Sequence, residues 1–271
     1  MLFLFTGCAG QRPPEQINPL SVLGTDALAY LVLPVSQNRE LCEIVLNRND
    51  SFAGNTDVFL NRAEILYAGV FQEEDTDGFP DFRVFMRGAF PKAAASMIFP
   101  SRKGWIKNKT KESGTWYQAG VLETALPYDN IVCISTAQNI QQMLVNLKNP
   151  FAAAPDNLPP GFTAYAENPS DAKIGLYVKD PAVWASSVFA MPLTLPVSYI
   201  EMYAGKNILP EGGYMLSLFF GVPDARMVRA VTAMLRIAFD RPVSSDGTVV
   251  SVTGIYVPTE YLAGMFDFLY F

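Results

Sequence analysis

The chain has 271 residues, 50% of them hydrophobic and 17% charged, with a net charge of −6 and no histidine. This length and apolar content suit one large domain or two modest ones and exclude extended disorder, while the negative charge argues against nucleic acid as a partner. The absence of histidine excludes histidine-based catalytic triads and histidine-ligated zinc.

The N-terminal sequence MLFLFTGC is an apolar run that ends on a cysteine, and a polar, proline-rich stretch follows it. The segment LFTGC resembles the lipobox of bacterial lipoproteins, although Phe5 stands where an aliphatic residue is usual. The resemblance implies that residues 1–8 are the remnant of a lipoprotein signal, that Cys8 carries the lipid, and that residues 9–24 form a tether. The alternative is an N-terminal strand with a buried cysteine.

A lipidated Cys8 implies a protein anchored in the bacterial cell envelope, with its body in the periplasm or at the cell surface. Ala9, rather than Asp, follows the cysteine and favours the outer membrane over the inner one. The predicted partner is therefore a membrane, bound through the N-terminal lipid, since two or more acyl chains give stable anchoring. No later stretch reaches the roughly 18 uninterrupted apolar residues of a spanning helix.

Residues 25–149 are predicted to form a first α+β unit. A strand at residues 28–33 precedes a helical stretch at 39–46, and two strand-like runs follow, separated by an acidic turn. Pro91 opens a second helical segment, because proline suits the first helical turn. After a last strand comes a helical stripe with the spacing i, i+3, i+4, i+7, formed by Ile140, Met143, Leu144 and Leu147.

Residues 170–271 repeat this order as a second α+β unit, and residues 150–169 form a proline-rich connection between the two. The sequence YAG at residues 67–69 recurs at 203–205, and the closing stripe recurs as Leu262, Met265, Phe266 and Leu269. The predicted fold class is α+β, a tandem duplication of a β-α-β-β-α-β-α unit with helices packed on mostly antiparallel sheets. The alternative is chance similarity of two α+β segments.

No metal or other cofactor is predicted. The acidic turn at residues 73–78 is similar to the start of a calcium-binding EF-hand loop, but Val84 stands where a bidentate glutamate is needed. We therefore interpret the turn as a solvated hairpin connection. Cys42 and Cys133 are predicted to be buried free thiols, with a disulfide as the alternative in an exported protein.

A basic segment in the first unit is the candidate interaction loop. The first unit has 42 positions from Pro91 to Cys133, against 32 from Pro223 to Ile255 in the second, so the extra residues fall around this segment. Cations mixed with tryptophan could contact lipid headgroups, anionic glycans or an acidic protein; the alternative is a flexible spacer. The candidate residues are Arg102, Lys103, Trp105, Lys107, Lys109, Lys111 and Trp116.

Together these features predict an envelope lipoprotein that acts as a non-enzymatic binding or interaction protein, with no catalytic residues assigned. One alternative is a carrier of a small apolar ligand or lipid in a cavity between the units, because 13% of the residues are aromatic and could line such a cavity. A second alternative is a hydrolase that depends on carboxylates. No acidic pair in the sequence stands out to support it.

Overall fold

The computed structural model describes residues 17–47, 56–72, 81–136, 138–149, 151–169, 172–184, 196–207 and 212–266. Within these ranges, twelve strands form one sheet. The strands are, in chain order, β1 (Ala29–Pro34), β2 (Ala63–Phe71), β3 (Asp81–Gly88), β4 (Ile106–Thr110), β5 (Gly114–Ala119), β6 (Leu122–Tyr128), β7 (Ile131–Ser135), β8 (Ile174–Val178), β9 (Tyr199–Lys206), β10 (Tyr214–Gly221), β11 (Val243–Asp246) and β12 (Val249–Val257).

The strand order is symmetrical about a seam between β1 and β8. Across the sheet the order is β11-β12-β10-β9-β8-β1-β2-β3-β7-β6-β5-β4, and the neighbouring strands pair antiparallel. Outward from the seam, β1-β2-β3-β7-β6 on one side matches β8-β9-β10-β12-β11 on the other, as a duplicated unit predicts. The hairpin β4–β5 extends the first half alone. The predicted α+β fold class is confirmed.

Helices cover both faces of this sheet. The helices that lie wholly within the described ranges are α1 (Pro19–Leu23), α2 (Arg39–Asn47), α3 (Thr56–Leu60), α4 (Ala95–Ile98), α5 (Ile140–Lys148), α6 (Pro160–Glu167), α7 (Val228–Phe239) and α8 (Thr259–Gly264), with short 3-10 turns at Lys92–Ala94, Ser101–Lys103 and Ala225–Met227. We call the side of Tyr30, Tyr67 and Phe85 the front face, which packs against α1, α5 and α6. The opposite side, the back face, packs against the other five.

Two helices lie in segments that the sequence predicts to be a tether and a connection. All five residues of α1 are buried, and the Asn18 side chain caps the helix by accepting a hydrogen bond from the amide of Leu20 at 3.0 Å. Helix α6 begins at Pro160 and buries Phe162 and Ala166 in the front core. The folded body therefore begins before residue 25, and the proline-rich connection contains a packed helix, because proline starts a helix as readily as it marks a linker.

The two halves share one core across the seam. Helix α2 from the first half packs against α8 from the second, through Leu41, Leu262 and Phe266 among others. The fully buried Asn38 side chain donates hydrogen bonds to the carbonyls of Pro34 at 2.8 Å and Ala172 at 3.0 Å, and accepts one from the Tyr214 hydroxyl at 3.1 Å. Buried polar groups of this kind fix one arrangement of the halves, since each unmade bond is costly.

Both cysteines in the described part of the chain are free and buried, as predicted. Burial raises the pKa of the Cys42 thiol and that of the Cys133 thiol to about 12, so both stay protonated and unreactive at neutral pH. Cys8, the remaining cysteine, lies outside the described residues, as does the acidic turn at residues 73–78.

Candidate functional site

The predicted interaction loop is a β-hairpin at one edge of the sheet. Strand β4 is the outermost strand and pairs only with β5 among the described residues. Trp105 is half-buried against Phe99, with 4.7 Å between the ring centres, and Trp116 is buried in the front core. Burial removes Trp116 from the surface, whereas the half-buried Trp105 keeps part of its ring exposed, and its predicted contact role remains a prediction. The cations are exposed: Arg102, Lys103, Lys107, Lys109 and Lys111.

Exposed apolar side chains accompany these cations. Met97 at the end of α4 is 82% exposed, and Ile106 at the start of β4 is also largely open to solvent. Arg102 and Lys103 lie between them in the chain, on the 3-10 turn Ser101–Lys103. A surface that combines exposed apolar side chains with lysine and arginine is typical of contact with anionic lipid headgroups.

Helix α7 presents a similar surface in the second half, which sequence reasoning missed. Val231 and Leu235 bury its inner side on the back face. On its outer side Ile237 is 86% exposed and Met234 is also exposed, with arginines beside them at positions 229 and 236. The available signal was a second apolar stripe at helical spacing, since residues 230, 233, 234 and 237 share one side of the helix.

The front face differs between the halves at equivalent positions of the sheet. In the first half Tyr67, Phe85 and Cys133 lie side by side on β2, β3 and β7, and all three are fully buried. The matching residues on β9, β10 and β12 are Tyr203, Ser217 and Thr253, of which the first two are half-buried and the third is exposed. Polar residues replace phenylalanine and cysteine where α5 has no described counterpart in the second half.

Buried carboxylates fix α5 on the front face of the first half. Glu123 on β6 accepts a hydrogen bond from the amide of Ile140 at 3.2 Å, at the start of the helix, where the helix dipole favours negative charge. Asp81 accepts one from the Asn139 side chain at 2.9 Å and pairs with Arg83 at 2.8 Å. Burial raises the pKa of Glu123, and the Ile140 amide opposes that rise.

A β-bulge in β12 accounts for the different placement of the helix that follows this strand in the second half. The pairing with β10 skips Gly254, whose φ of +77° lies in the left-handed region that favours glycine. One extra residue reverses the face that each later residue takes. Helix α8, which matches α5 in sequence order, then packs on the back face through Leu262 and Phe266. Among the described residues, no helix takes the place of α5 over the front of β10 and β12, while α6 lies beside β9 through Tyr165 and Tyr203.

An open groove of about 640 Å³ lies between α6 and the front of β9 and β10. The Glu201 carboxylate, on a residue only 7% exposed, accepts a hydrogen bond from the Tyr203 hydroxyl at 2.8 Å. Burial raises the pKa of Glu201, and burial together with the neighbouring carboxylate raises the pKa of Tyr203. The groove is lined by Gly161, Tyr165, Lys173, Glu201, Tyr203, Gly205, Lys206, Met215, Ser217 and Phe219.

A second, much smaller cavity lies at the seam on the back face. Its volume is about 30 Å³, close to the room that one water molecule occupies. Apolar residues from both halves line it, among them Leu31, Leu176 and Met202, with Phe266 beside α8. Its place is where the sequence predicts a ligand cavity, but its volume is far below the few hundred Å³ of a typical ligand site.

Across the residues that the structure describes, no cluster of three or more acidic or cysteine side chains is arranged to hold a metal ion. The same residues contain no helix both long and apolar enough to cross a membrane.

Comparisons with known proteins identify relatives along most of the chain. A family model described as outer membrane-associated lipoprotein TP0453 matches residues 14–263. The outer membrane protein TP0453 of Treponema pallidum (strain Nichols) is 27% identical over 260 residues, which is 91% of this chain and 86% of that protein. Its crystal forms I and III each align with a TM-score of 0.73 at 23% identity, covering 95% and 92% of this chain and 99% and 97% of theirs.

The solved structures support the fold, since a large antiparallel sheet with helices is shared at a TM-score of 0.73. The family match confirms the prediction of a lipoprotein of the outer-membrane envelope and adds a family that the lipobox-like segment alone did not reveal. The family's description names no enzymatic activity. The chain belongs to the TP0453 family of outer membrane-associated lipoproteins.

Proposed function

We propose that this protein is a non-enzymatic lipoprotein whose folded body itself contacts the headgroup layer of a membrane. The observation that carries the proposal is the outer side of α7, where the exposed side chains of Met234 and Ile237 lie beside Arg229 and Arg236. A soluble helix normally places polar residues at its outermost positions. An apolar outer stripe with arginines at its sides is typical of a helix that lies in a membrane interface.

The energetics favour such contact. Burying a large apolar side chain contributes about 1.5–3 kcal/mol, and each cation near an anionic surface contributes about 1 kcal/mol. In the first half, Met97 on α4 is exposed on the same face of the sheet as α7, and Arg102 and Lys103 follow it in the chain. These contributions add to anchoring by a lipid at Cys8, which remains a prediction.

Vesicle sedimentation tests this function. The full chain with Cys8→Ser, which removes the lipid attachment point, is mixed with vesicles that contain phosphatidylglycerol. We expect the unlipidated chain to sediment with them. We expect Met234→Ser with Ile237→Ser to weaken binding by about a hundredfold, since two side chains at about 1.5 kcal/mol each contribute about 3 kcal/mol and roughly 1.4 kcal/mol corresponds to a factor of ten. Val121→Ser, at an exposed apolar residue in the β5–β6 turn, is the matched control. Equal sedimentation of the double variant and the control would sink the proposal.

Carriage of an apolar ligand at the seam is the second candidate. The wholly apolar lining of the 30 Å³ cavity favours it, and α8 would have to move away to admit an acyl chain. Mass spectrometry of an organic extract of the purified protein would detect a bound lipid at a ratio near one per chain. An extract without lipid would contradict the carrier function, and membrane contact would remain as the proposed function.

The carboxylate-dependent hydrolase has the weakest support. The closest buried acidic residues, Asp81 and Glu123, both bind the start of α5 through Asn139 and Ile140. Their hydrogen bonds stabilise a helix in the core and do not line the groove.

A further inference from the structure

The groove on the front face of the second half combines a buried carboxylate, a set of aromatic rings and the exposed Lys173. We propose that it binds a small zwitterion that carries an ammonium group next to an anionic group, with phosphocholine as the representative probe. The ammonium group lies at the Glu201 end of the groove, and the anionic group faces Lys173, whose side chain lies beside Gly205. This site goes beyond the proposed membrane contact, because it lies on the opposite face of the sheet from α4 and α7.

The pairing register of β9 and β10 gives the order of the residues along the groove. Glu201 lies opposite Phe219, Tyr203 lies opposite Ser217, and Gly205 lies opposite Met215. Gly205 lies four positions after Glu201 along the strand, which is about 14 Å at roughly 3.4 Å per residue. The groove therefore has an acidic end and a basic end, with aromatic side chains between them. The Lys173 side chain lies beside Gly205 and is long and flexible enough to reach several ångströms back along the groove.

The acidic end is built to receive a cation. The Glu201 carboxylate is buried, and no lysine or arginine in the described ranges forms an ion pair with it. Its one described hydrogen bond comes from the Tyr203 hydroxyl. A buried carboxylate is costly unless a cation or further donors compensate for the lost water. A ligand ammonium group supplies that compensation.

Aromatic rings form the walls around this carboxylate. The ring of Tyr203 meets the ring of Tyr165 at 88° with 5.5 Å between centres, and that of Phe219 at 76° with 5.9 Å between centres. Edge-to-face rings present their negative faces in different directions around one space. This arrangement suits an ammonium group, which is attracted to the faces of aromatic rings within about 6 Å.

Gly161 at the start of α6 leaves the space above the carboxylate open. A β-carbon at this position would lie 3.7 Å from the Glu201 Oε2 atom and 3.8 Å from the Tyr203 hydroxyl oxygen. A larger side chain at residue 161 would therefore occupy the place of the ammonium group. The groove volume of about 640 Å³ is within the range of sites for small molecules.

The first half lacks this site, which shows that the sheet alone does not create it. Ile65 occupies the place that matches Glu201, Phe85 the place that matches Ser217, and α5 lies over that region. An apolar helix from another protein is a poorer occupant of the open groove, because Ser217 and Thr253 have replaced the residues that bind α5 in the first half. A small polar ligand matches this surface better.

Isothermal titration of the full chain with phosphocholine tests the site. We expect saturable binding, weaker binding of choline, which lacks the anionic group, and no saturable binding of inorganic phosphate. Glu201→Gln should weaken phosphocholine binding by at least about tenfold. The matched control is Glu64→Gln, which removes a charge from an exposed position on β2. Absence of phosphocholine binding, or equal affinity of Glu201→Gln and wild type, would overturn the proposal.

A second variant keeps the test decisive if Glu201→Gln does not fold. Gly161→Leu lies at an exposed position and should block phosphocholine binding while leaving the unfolding transition in place. Unchanged binding in this variant would also overturn the proposal. Phosphatidylcholine vesicles form a further arm: competition with phosphocholine identifies a lipid headgroup as the source, and binding without competition identifies a soluble zwitterion. This readout is separate from sedimentation through α7, so the two proposals can fail independently.

Discussion

The two halves of the sheet share one strand order but differ in the cover of their front face. In the first half α1 and α5 seal Tyr67 and Phe85 from water, whereas the equivalent Tyr203 and Ser217 line an open groove. A duplicated framework can therefore keep its register while one copy loses a helix from a face and acquires polar residues there. The difference teaches that the exposed copy is the place to look for binding, because the covered copy is used for stability.

The largest expected effect is on the free energy of unfolding, when Phe85 and Ser217, which occupy matched positions in the two halves, are each replaced by the other residue type. Phe85→Ser removes a fully buried ring beneath α5 and should lower the free energy of unfolding by about 3–5 kcal/mol. Ser217→Phe at the matching position should change it little, since the added ring enters an open groove. Denaturant unfolding of both variants measures the contrast. Similar losses in both would mean that the second half is covered in solution.

Breaking the seam gives the next largest effect. Asn38→Ala removes three hydrogen bonds, two of which join the first half to the second, and leaves the Ala172 carbonyl and the Tyr214 hydroxyl without these partners. We expect a loss of about 2–3 kcal/mol in the free energy of unfolding, since each orphaned buried group costs about 1–3 kcal/mol. Ser36→Ala, on the same loop but exposed, is the control. A loss of a few tenths would show that the halves hold together without this network.

Straightening the bulge gives a smaller effect. Gly254→Ala places a β-carbon on a residue with φ of +77°, which costs about 1–2 kcal/mol. Nothing lies within 4 Å of the added atom, so the loss reports the backbone alone. Thermal unfolding measures it, and Ala238→Gly on the exposed side of α7 serves as a comparison of the opposite kind. Unchanged stability would indicate that β12 adopts a regular register in solution.

The smallest effect is a dependence on pH. Burial raises the pKa of Glu201 above its ordinary value of 4.5, so the folded chain holds this proton more tightly than the unfolded chain does. Stability therefore falls as the pH rises from about 4.5 through the raised pKa. Glu201→Gln should lose less stability than wild type over that interval in urea titrations at several pH values. If the stability of Glu201→Gln and that of wild type depended on pH in the same way, the burial of this carboxylate would be contradicted.

The strands and their duplication could be predicted from the sequence, because their apolar residues recur in the same order in both halves. Cys42 and Cys133 could be placed in the core because a free cysteine is commonly a buried residue. The boundaries predicted for the two units remain predictions, although α1 and α6 show that packed residues lie outside them. Short helices that begin at proline are easily mistaken for linkers in a sequence, because proline is common both in linkers and at the first position of a helix.

The open groove could not be predicted, because helical periodicity shows which side of a helix is apolar and not which face of a sheet receives it. The stripes that begin at Ile140 and Leu262 have the same spacing, yet α5 and α8 pack on opposite faces. The position of the bulge at Gly254 depends on pairing with β10, which a single sequence does not display. Likewise, no pattern in the sequence distinguishes Glu201 and Tyr203 from other strand residues.

The lysines of β4 have a further consequence for a lipoprotein crowded on a two-dimensional surface. The outermost strand of a sheet offers unpaired backbone groups to any neighbouring chain. A second copy that added its own β4 here would bring Lys107 and Lys109 against the same lysines, and like charges opposite each other oppose such pairing. This edge therefore disfavours end-to-end joining of sheets, so that many copies can share a membrane as separate molecules.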